Sequence, residues 1–391
     1  MPLPPELEWV LRWGAGVVRT RRLPGDETYH FRTYSSAGAL YPVEVYGALS
    51  DGLYHFHPQE LALRRLRAGD FRASLGVPGA AVLVLTGILW RTAWKYGARG
   101  YRHLYWDAGT MLANLLALAE EEGLAPRLYT GFVDEELNSL LGVDGEREAA
   151  LALFALGEDQ AEASSPIAPQ ELEVAPLSTR EERYPEAYAL HRGSSLADAE
   201  EVGRYRAAGG QESSAQRLTD EPLEQVLGRR GSIRDFSPEP LPRDELAALL
   251  AAACAPPPAD VPPLTELYLV VNAVEGLVGG TYRFAPPAAF ELLREGSFRR
   301  QAGYLCLEQM LGFRAAAVVF AMSALDDVLG KLGNRGYRAA QLEAGIRVGR
   351  IYVGAFGRGW GATGSTFYDD DVSRFLAPEL SPMLCVAVGR R

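Results

Sequence analysis

Cysteine is scarce: the 391 residues contain three, Cys254, Cys306 and Cys385. An odd number so widely spaced makes no disulfide framework and fits a reducing compartment. Long hydrophobic runs are missing too. The longest, near Ala80–Trp90, is about half of the ~20 residues that a membrane span needs. The opening Met1-Pro2-Leu3-Pro4-Pro5-Glu6 lacks the basic and apolar regions of a secretory signal. Positive charge is not in excess, with 39 Lys and Arg against 50 Asp and Glu and a net charge of -11. A duplex-binding surface needs clustered cations, so nucleic acid is excluded as the main partner. A local basic pocket for one phosphate is not. Gly-x-Ser-x-Gly and Walker sequences are absent, which weighs against hydrolase and P-loop chemistry. His55 and His57 share a strand face without a third ligand, so no metal site is expected. The remainder, 48% hydrophobic and 23% charged, is a globular composition, and the expectation is a soluble cytoplasmic protein of two or three domains.

The chain resembles itself. Gly97-Ala98-Arg99-Gly100-Tyr101-Arg102 has a counterpart in Gly333-Asn334-Arg335-Gly336-Tyr337-Arg338, 236 residues on. The same spacing pairs Lys95 with Lys331, Gly109 with Gly345 and Gly123 with Gly359. Upstream, Tyr54-His55-Phe56-His57-Pro58 matches Tyr282-Arg283-Phe284-Ala285-Pro286, and Gly69-Asp70-Phe71-Arg72 matches Gly296-Ser297-Phe298-Arg299. Ordered matches at nearly constant spacing indicate a tandem duplication. Two copies cannot make a solenoid, but they can form a pseudo-twofold dimer within one chain. The boundaries implied are 1–157 and 222–391, joined by 158–221. That joining segment reads as a linker to about Ser178, with a peripheral helix over Arg180–Arg206.

Each copy repeats one rhythm. Val43–Leu49 and Leu53–His57 alternate as strands around the turn Asp51-Gly52, and Leu267–Asn272 and Thr281–Phe284 are their equivalents. Asp107–Glu122 has helical apolar spacing and stops at Gly123; Pro242–Cys254 is a second helix. Helices mixed with antiparallel hairpins give an α+β class. Asp369-Asp370-Asp371 reads as an exposed helix N-terminus.

Four segments carry chemistry. Arg230-Gly231-Ser232-Ile233-Arg234 sets two guanidiniums around a hydroxyl and a glycine, a suitable phosphate clamp, although such turns also occur as solvated surface. Tyr34-Ser35-Ser36-Ala37-Gly38-Ala39-Leu40-Tyr41-Pro42 is a small-residue turn whose N–H groups can face a flat ligand, or an ordinary loop. Lys95-Tyr96 precedes the repeated motif; the second copy has Lys331-Leu332, which implies one working site if the pair is more than a surface lysine beside a packed tyrosine. Gly361-Ala362-Thr363-Gly364-Ser365-Thr366 reads as a glycine-rich turn able to admit a planar cofactor, or as a plain loop.

Together these segments resemble the FMN-dependent nitroreductase superfamily, and within it the SagB-type (McbC-like) azoline dehydrogenases. Arg230-x-Ser232-x-Arg234 looks like the superfamily's phosphate-binding motif. Ser35-Ser36-Ala37-Gly38 looks like the segment that usually reads Pro-Ser-Ala-Gly, with Ser35 as the departure. Lys95-Tyr96 matches the Lys-Tyr motif of that branch, and Gly361-Ala362-Thr363-Gly364 the loop at the reactive flavin edge. In this superfamily the flavin lies at a dimer interface, with phosphate contacts from one subunit and the Pro-Ser segment from the other. Here the phosphate motif occurs only in the second copy and the Ser-Ser segment with the Lys-Tyr pair only in the first. The resemblance therefore implies two nitroreductase-like domains in tandem, one composite FMN site and one degenerate pseudo-site.

The implied FMN contacts are Arg230, Ser232 and Arg234 at the phosphate, joined by Arg391 or Arg390. Ser35, Ser36 and Gly38 lie beside the ring, and Thr363 and Gly364 at its edge. The implied activity is oxidation of thiazoline or oxazoline rings of a ribosomal peptide to azoles, with a cyclodehydratase as a partner and the intrachain pseudodimer sufficient as a monomer. An NAD(P)H-dependent nitro- or quinone reductase, or a flavin-binding scaffold of a biosynthetic complex, are the alternatives. Aromatisation removes a proton beside the ring carbonyl and a hydride to the flavin. Tyr96 is the favoured base, its phenol lowered by the Lys95 ammonium, with Lys95 itself nearly as plausible.

Overall fold

A computed structural model describes residues 5–22, 25, 28–159, 161, 164–167, 176–212 and 217–391. Met1–Pro4 and part of the expected linker, 168–175, lie outside these.

The two sheets repeat each other. In the first half β3 (Val43–Leu49), β4 (Gly52–His57), β5 (Ala62–Ala68), β6 (Ala81–Ile88), β7 (Pro126–Tyr129) and β8 (Glu148–Leu156) form an antiparallel sheet in the order β5-β4-β3-β6-β8-β7. In the second, β9 (Glu266–Val271), β10 (Gly280–Ala285), β11 (Ala289–Glu295), β12 (Ala317–Ser323), β13 (Trp360–Ser365) and β14 (Ser381–Arg390) take the order β11-β10-β9-β12-β14-β13. The hairpin of β1 (Val17–Arg22) and β2 (Thr28–Arg32) stands apart in the first half. The run around Ala80–Trp90 supplies β6, buried along its centre between β3 and β8.

Helices complete both halves. The first has α1 (Pro5–Ala15), α2 (Trp90–Tyr96), α3 (Gly100–Glu121) and α4 (Asp134–Leu141). The connection carries α5 (Pro185–Gly193) and α6 (Ala199–Arg206). The second half has α7 (Leu223–Arg229), α8 (Arg243–Cys254), α9 (Arg299–Leu305), α10 (Met310–Arg314), α11 (Leu325–Leu332), α12 (Arg335–Gly357) and α13 (Asp369–Leu376). No helix among the described residues is long and apolar enough to cross a membrane.

The pseudo-twofold relation is visible where α3 meets α12. Gly109 and Gly345, equivalent in the repeat, touch: a Cβ on Gly109 would lie 2.6 Å from the Cα of Gly345, and one on Gly345 2.9 Å from the Cα of Gly109. Only glycine permits so close an approach of two helix backbones. Ala113 meets its own equivalent, Gly349, in the same way. Self-contact of equivalent positions is what a twofold interface requires.

Ion pairs between the halves repeat as well. Arg99 and Arg102 bind Asp369 at 2.6 and 2.7 Å; their equivalents Arg335 and Arg338 bind Asp134, each at 2.7 Å. Asp369 thus heads α13 as expected but is not simply exposed: it ties the first half to the second. The second cluster is deeper, with Asp134 7% exposed against 31% for Asp369. The segment 180–206 explains the difference. It forms two helices rather than one peripheral helix, because Ser194–Leu196 turn inward: Ser194 Oγ accepts from Arg338 Nε at 2.7 Å, and Leu196 N donates to Asp134 at 3.0 Å. Burial alone would raise the Asp134 carboxyl, but Arg335 and Arg338 more than offset this and hold it down. Removing the acid leaves two buried guanidiniums uncompensated. Asp134→Ala should therefore cost about 3–5 kcal/mol in urea unfolding, and Asp369→Ala, better solvated, clearly less.

Candidate functional site

A cleft of about 960 Å³ lies between the halves, and all the residues singled out above for cofactor or catalysis except Arg390 line it: Ser35, Ser36, Gly38, Lys95 and Tyr96 from the first half, and Arg230, Ser232, Arg234, Thr363, Gly364 and Arg391 from the second. That volume is at the upper end of ordinary small-molecule sites. Asp107 is the only acid among the described residues that line it. The protein's acidity is therefore reversed locally.

The first-half wall is the turn between β2 and β3. Gly38 takes φ 61°, and a Cβ there would lie 2.8 Å from Lys95 Nζ and 2.9 Å from Tyr96 Oη. Glycine is required on both counts, since the left-handed backbone and the space each exclude a side chain. Ala39 and Tyr41 also have positive φ, 54° and 49°. Such strain persists only when neighbours over-determine it. Tyr29 Oη donates to Ala39 O at 2.6 Å, Tyr41 N to Ser36 Oγ at 2.8 Å, Arg91 to Tyr41 O at 3.0 Å, and Thr110 Oγ1 to Ser35 O at 2.5 Å.

Arg230 closes the wall from the other half. It leaves α7, is 8% exposed, and donates from Nε to Thr33 O at 2.9 Å, beside the Ser35 turn. Its guanidinium lies 5.4 Å from the Tyr352 ring, and no carboxylate among the described residues pairs with it. Burial lowers its pKa, as expected for a cation taken from water without a counter-ion. Ser232 and Arg234 follow on the rim, with Ser232 Oγ 3.3 Å from Tyr352 Oη. Arg391 lines the cleft and donates to Trp360 O at 2.9 Å, whereas Arg390 turns to Pro240 O and Glu239.

Two expectations need correction. Gly361–Thr366 is not a turn: Gly361–Ser365 belong to β13, paired with β14 from Gly361↔Gly389 to Ser365↔Cys385. Gly361 serves close packing, since a Cβ there would meet Ile233 at 2.8 Å, whereas one on Gly364 would find nothing nearer than 3.7 Å. The Thr363 hydroxyl donates to Ile233 O, and the Gly364 N–H donates to Tyr352 Oη at 2.6 Å. Gly359-x-Gly361-x-x-Gly364 has the spacing of a dinucleotide fingerprint, but on an antiparallel edge strand it opens no helix toward a pyrophosphate. Tyr96 is the second correction. Burial first, then the charge of Asp107, raise its phenol above the ordinary value, with only Arg234 opposing. Lys95, 5.5 Å over the ring, does not produce the lowering expected. Tyr96 is therefore a neutral phenol at neutral pH.

Sequence reasoning overlooked a polar stripe on α3. His103, Asp107 and Thr110, at i, i+4 and i+7, face the cleft from an otherwise apolar helix. His103 is fully buried between Tyr96 and Trp106, ring centroids 4.1 and 4.6 Å away. Burial, then Arg102 and Arg99, hold its pKa down to about 3, and neither ring nitrogen has a partner. Spacing could have revealed these residues. Tyr352 gave no such signal.

The related position in the other half is built differently, although a second cleft of about 880 Å³ opens beside β7, lined by Glu120, Arg127, Tyr129, Gly157 and Pro258. Leu332, in place of Tyr96, is buried; β7, the counterpart of β13, is covered on its free edge by 258–260, with Leu128 N donating to Pro258 O at 2.8 Å. The repeat is intact, but only one of its two clefts is equipped.

The tandem sheets and the inter-half cleft define the class. The nitroreductase family pattern matches residues 7–158 and 227–390, and the chain belongs to that family, whose members are oxidoreductases that generally bind flavin. It is similar to the microcin B17-processing protein McbC of Escherichia coli, 32% identical over 149 residues, covering 32% of this chain and 54% of that one, so about half of McbC is spanned. It is 27% identical over 181 residues to "Putative nitroreductase MJ1384" of Methanocaldococcus jannaschii, covering 43% of this chain and 91% of the other. A solved "putative nitroreductase" of Anabaena variabilis superposes over 100% of this chain and 90% of its own, with TM-score 0.83 and 26% identity.

The residues present fit FMN. A buried guanidinium without a carboxylate and two unpartnered imidazole nitrogens border a cleft rich in cations, the environment that a phosphate and a polar flat ring would satisfy.

Proposed function

We propose that this chain is an FMN-dependent dehydrogenase that oxidises thiazoline or oxazoline rings of a ribosomal peptide to azoles. The two copies, 1–157 and 222–391 joined by 158–221, share one FMN. The observation that carries the reading is the convergence of Lys95 Nζ and Tyr96 Oη on Gly38, in the cleft that holds the unpaired Arg230 and in that half only. Similarity to a protein that processes a peptide, microcin B17, supports the substrate class. Arg230, Ser232 and Arg234 would hold the phosphate, Ser35, Ser36 and Gly38 the ring face, Gly364 and Thr363 its edge, with Arg391 nearby.

FMN supplies the two-electron chemistry when bound. The chain supplies the rest. Tyr96, neutral, would donate a hydrogen bond to orient the azoline, and Lys95, once its ammonium has released a proton to solvent, would receive the ring proton. A cyclodehydratase, which makes azolines, is the partner class that this substrate implies.

The test is whether the purified yellow protein aromatises an azoline-containing peptide without added NAD(P)H. Denaturation should release one FMN per chain, and two would overturn the composite site. The second reading, an NAD(P)H-dependent nitro- or quinone reductase, is favoured by the near-complete match to the Anabaena protein; nitroarene reduction with no azoline turnover would establish it.

A further inference from the structure

One buried carboxyl in the cleft has no role in the reaction above. Asp107, 2% exposed, accepts a hydrogen bond at Oδ2 from Ser36 Oγ and one at Oδ1 from Ala37 N at 3.0 Å. No cation among the described residues pairs with it. Its equivalent 236 residues on, Glu343, likewise holds a turn, through Leu264 N, Thr265 N and the Thr265 hydroxyl. There, however, Arg347 binds the carboxylate at 3.0 Å from one helical turn on. Met111 stands in Arg347's place on α3. The half with the Lys-Tyr pair keeps its buried carboxyl uncompensated; the other half does not.

The titratable groups facing Asp107 are Tyr34 and Tyr41 from the turn and Tyr96 from α2, with His103 one turn earlier on α3. None of these carries positive charge at neutral pH, and the cations Lys95, Arg230 and Arg234, which line the same cleft, form no ion pair with Asp107. Burial pushes Asp107 up to about 7 even though the Ser36 hydroxyl and Ala37 N–H favour the anion.

We propose that Asp107 and Ser36 form a proton-operated hydrogen-bond donor facing the cleft. Ser36 Oγ also accepts from Tyr41 N at 2.8 Å. With Asp107 ionised, the Ser36 hydrogen is committed to Oδ2. With a proton on Oδ2 the bond reverses: Ser36 accepts from both Asp107 and Tyr41 N, its lone pairs are filled, and its own hydrogen is free to point into the cleft. An acceptor atom of a ligand at Ser36 therefore draws one proton from solvent onto Asp107, and the proton leaves when the ligand does. No other bond changes. The choice of a flavin as that ligand rests on the reading above.

Riboflavin is the probe, because it lacks the phosphate whose own titration near pH 6 would overlap. Apo-protein should bind it ~5-fold or more weakly at about pH 8.5 than at about pH 6, the range of an ordinary coupling. In Asp107→Asn and Ser36→Ala the affinity should not vary with pH. Thermal unfolding provides a ligand-free measurement. A carboxyl raised from its unfolded value near 3.9 binds its proton more tightly when folded, so wild-type stability relative to Asp107→Asn should fall as pH rises from about 4 to about 7 and level off above. That trend should persist in Ser36→Ala measured against the double variant, since the carboxyl still titrates. A pH-independent riboflavin affinity in the wild type, or a constant stability difference, overturns the proposal while leaving the flavin site standing. Failure to bind FMN at any pH overturns the flavin reading itself, and a stability difference that still falls with pH would then keep the Asp107 titration apart from it.

Discussion

Arg230→Ala should purify nearly colourless, with FMN affinity reduced about 100-fold or more. A hydrogen bond to a charged group contributes about 1.5–3 kcal/mol, and a guanidinium can offer two to a phosphate, so 2.7 kcal/mol, or about 100-fold, is a modest expectation. The apo-protein should behave differently from the usual core variant. Arg230 is buried with no carboxylate and one backbone acceptor, Thr33 O. A desolvated, uncompensated cation destabilises the fold that holds it. Its removal should leave the apo-protein's Tm unchanged or higher, even as flavin is lost. Arg230→Lys, which keeps the charge but not the fork, should fall between. Equilibrium dialysis and thermal unfolding of flavin-free protein give both quantities. Wild-type flavin content in Arg230→Ala would remove the phosphate assignment.

The duplication was legible because it is written in residues that the interface constrains. Gly109 and Gly345 recur at fixed spacing since each is the other's contact, and Arg99, Arg102 and their equivalents since each pair reaches across to an acid. The hairpin turn at Asp51-Gly52 and the stop at Gly123, φ 68°, follow local rules that tertiary context did not override. What was not legible depends on environment. Gly361-Ala362-Thr363-Gly364 has turn composition, yet the ladder with β14 fixes it as a strand. The inward bend at Ser194 cannot be inferred from a polar segment, because its cause is the buried Arg338 nearly 150 residues away. Tyr96 illustrates the same limit for chemistry. Adjacency to Lys95 in sequence suggested a lowered phenol, whereas the nearby charge that dominates in space is Asp107, from a different helix.

The lysines mark the site more sharply than any motif. Lys95 and Lys331 are the only two in the chain, and they occupy equivalent positions. In a sequence that otherwise uses arginine for every cation, a lysine is a specific choice: arginine cannot release its proton in a protein, and lysine can. Both lysines are exposed; Lys331 lies at the end of α11 beside the buried Leu332. Lys95 faces Gly38 with Tyr96. An amine able to give up and take back a proton is useful only on one side, which is the expectation for a duplicated scaffold with one working site.

Lys95→Ala should accordingly lower azoline oxidation about 10²–10⁴-fold, the ordinary contribution of a positioned general base, with FMN content near wild type. Tyr96→Phe should be milder. Its phenol is raised by burial and by Asp107, so it acts as a neutral donor, and one neutral hydrogen bond of about 1–1.5 kcal/mol corresponds to roughly tenfold in rate. Gly38→Ala tests the geometry without touching either group: its methyl would sit 2.8 Å from Lys95 Nζ and 2.9 Å from Tyr96 Oη on a backbone at φ 61°. It should therefore reduce turnover with both side chains still present. Lys331→Ala should leave turnover and flavin content unchanged. Single-turnover rates with an azoline peptide, followed by flavin absorbance, separate these cases. Equal losses in Tyr96→Phe and Lys95→Ala would return the base to the phenol. Wild-type rates in both, with FMN bound, would remove the pair from catalysis and move the nitro- or quinone-reductase reading ahead.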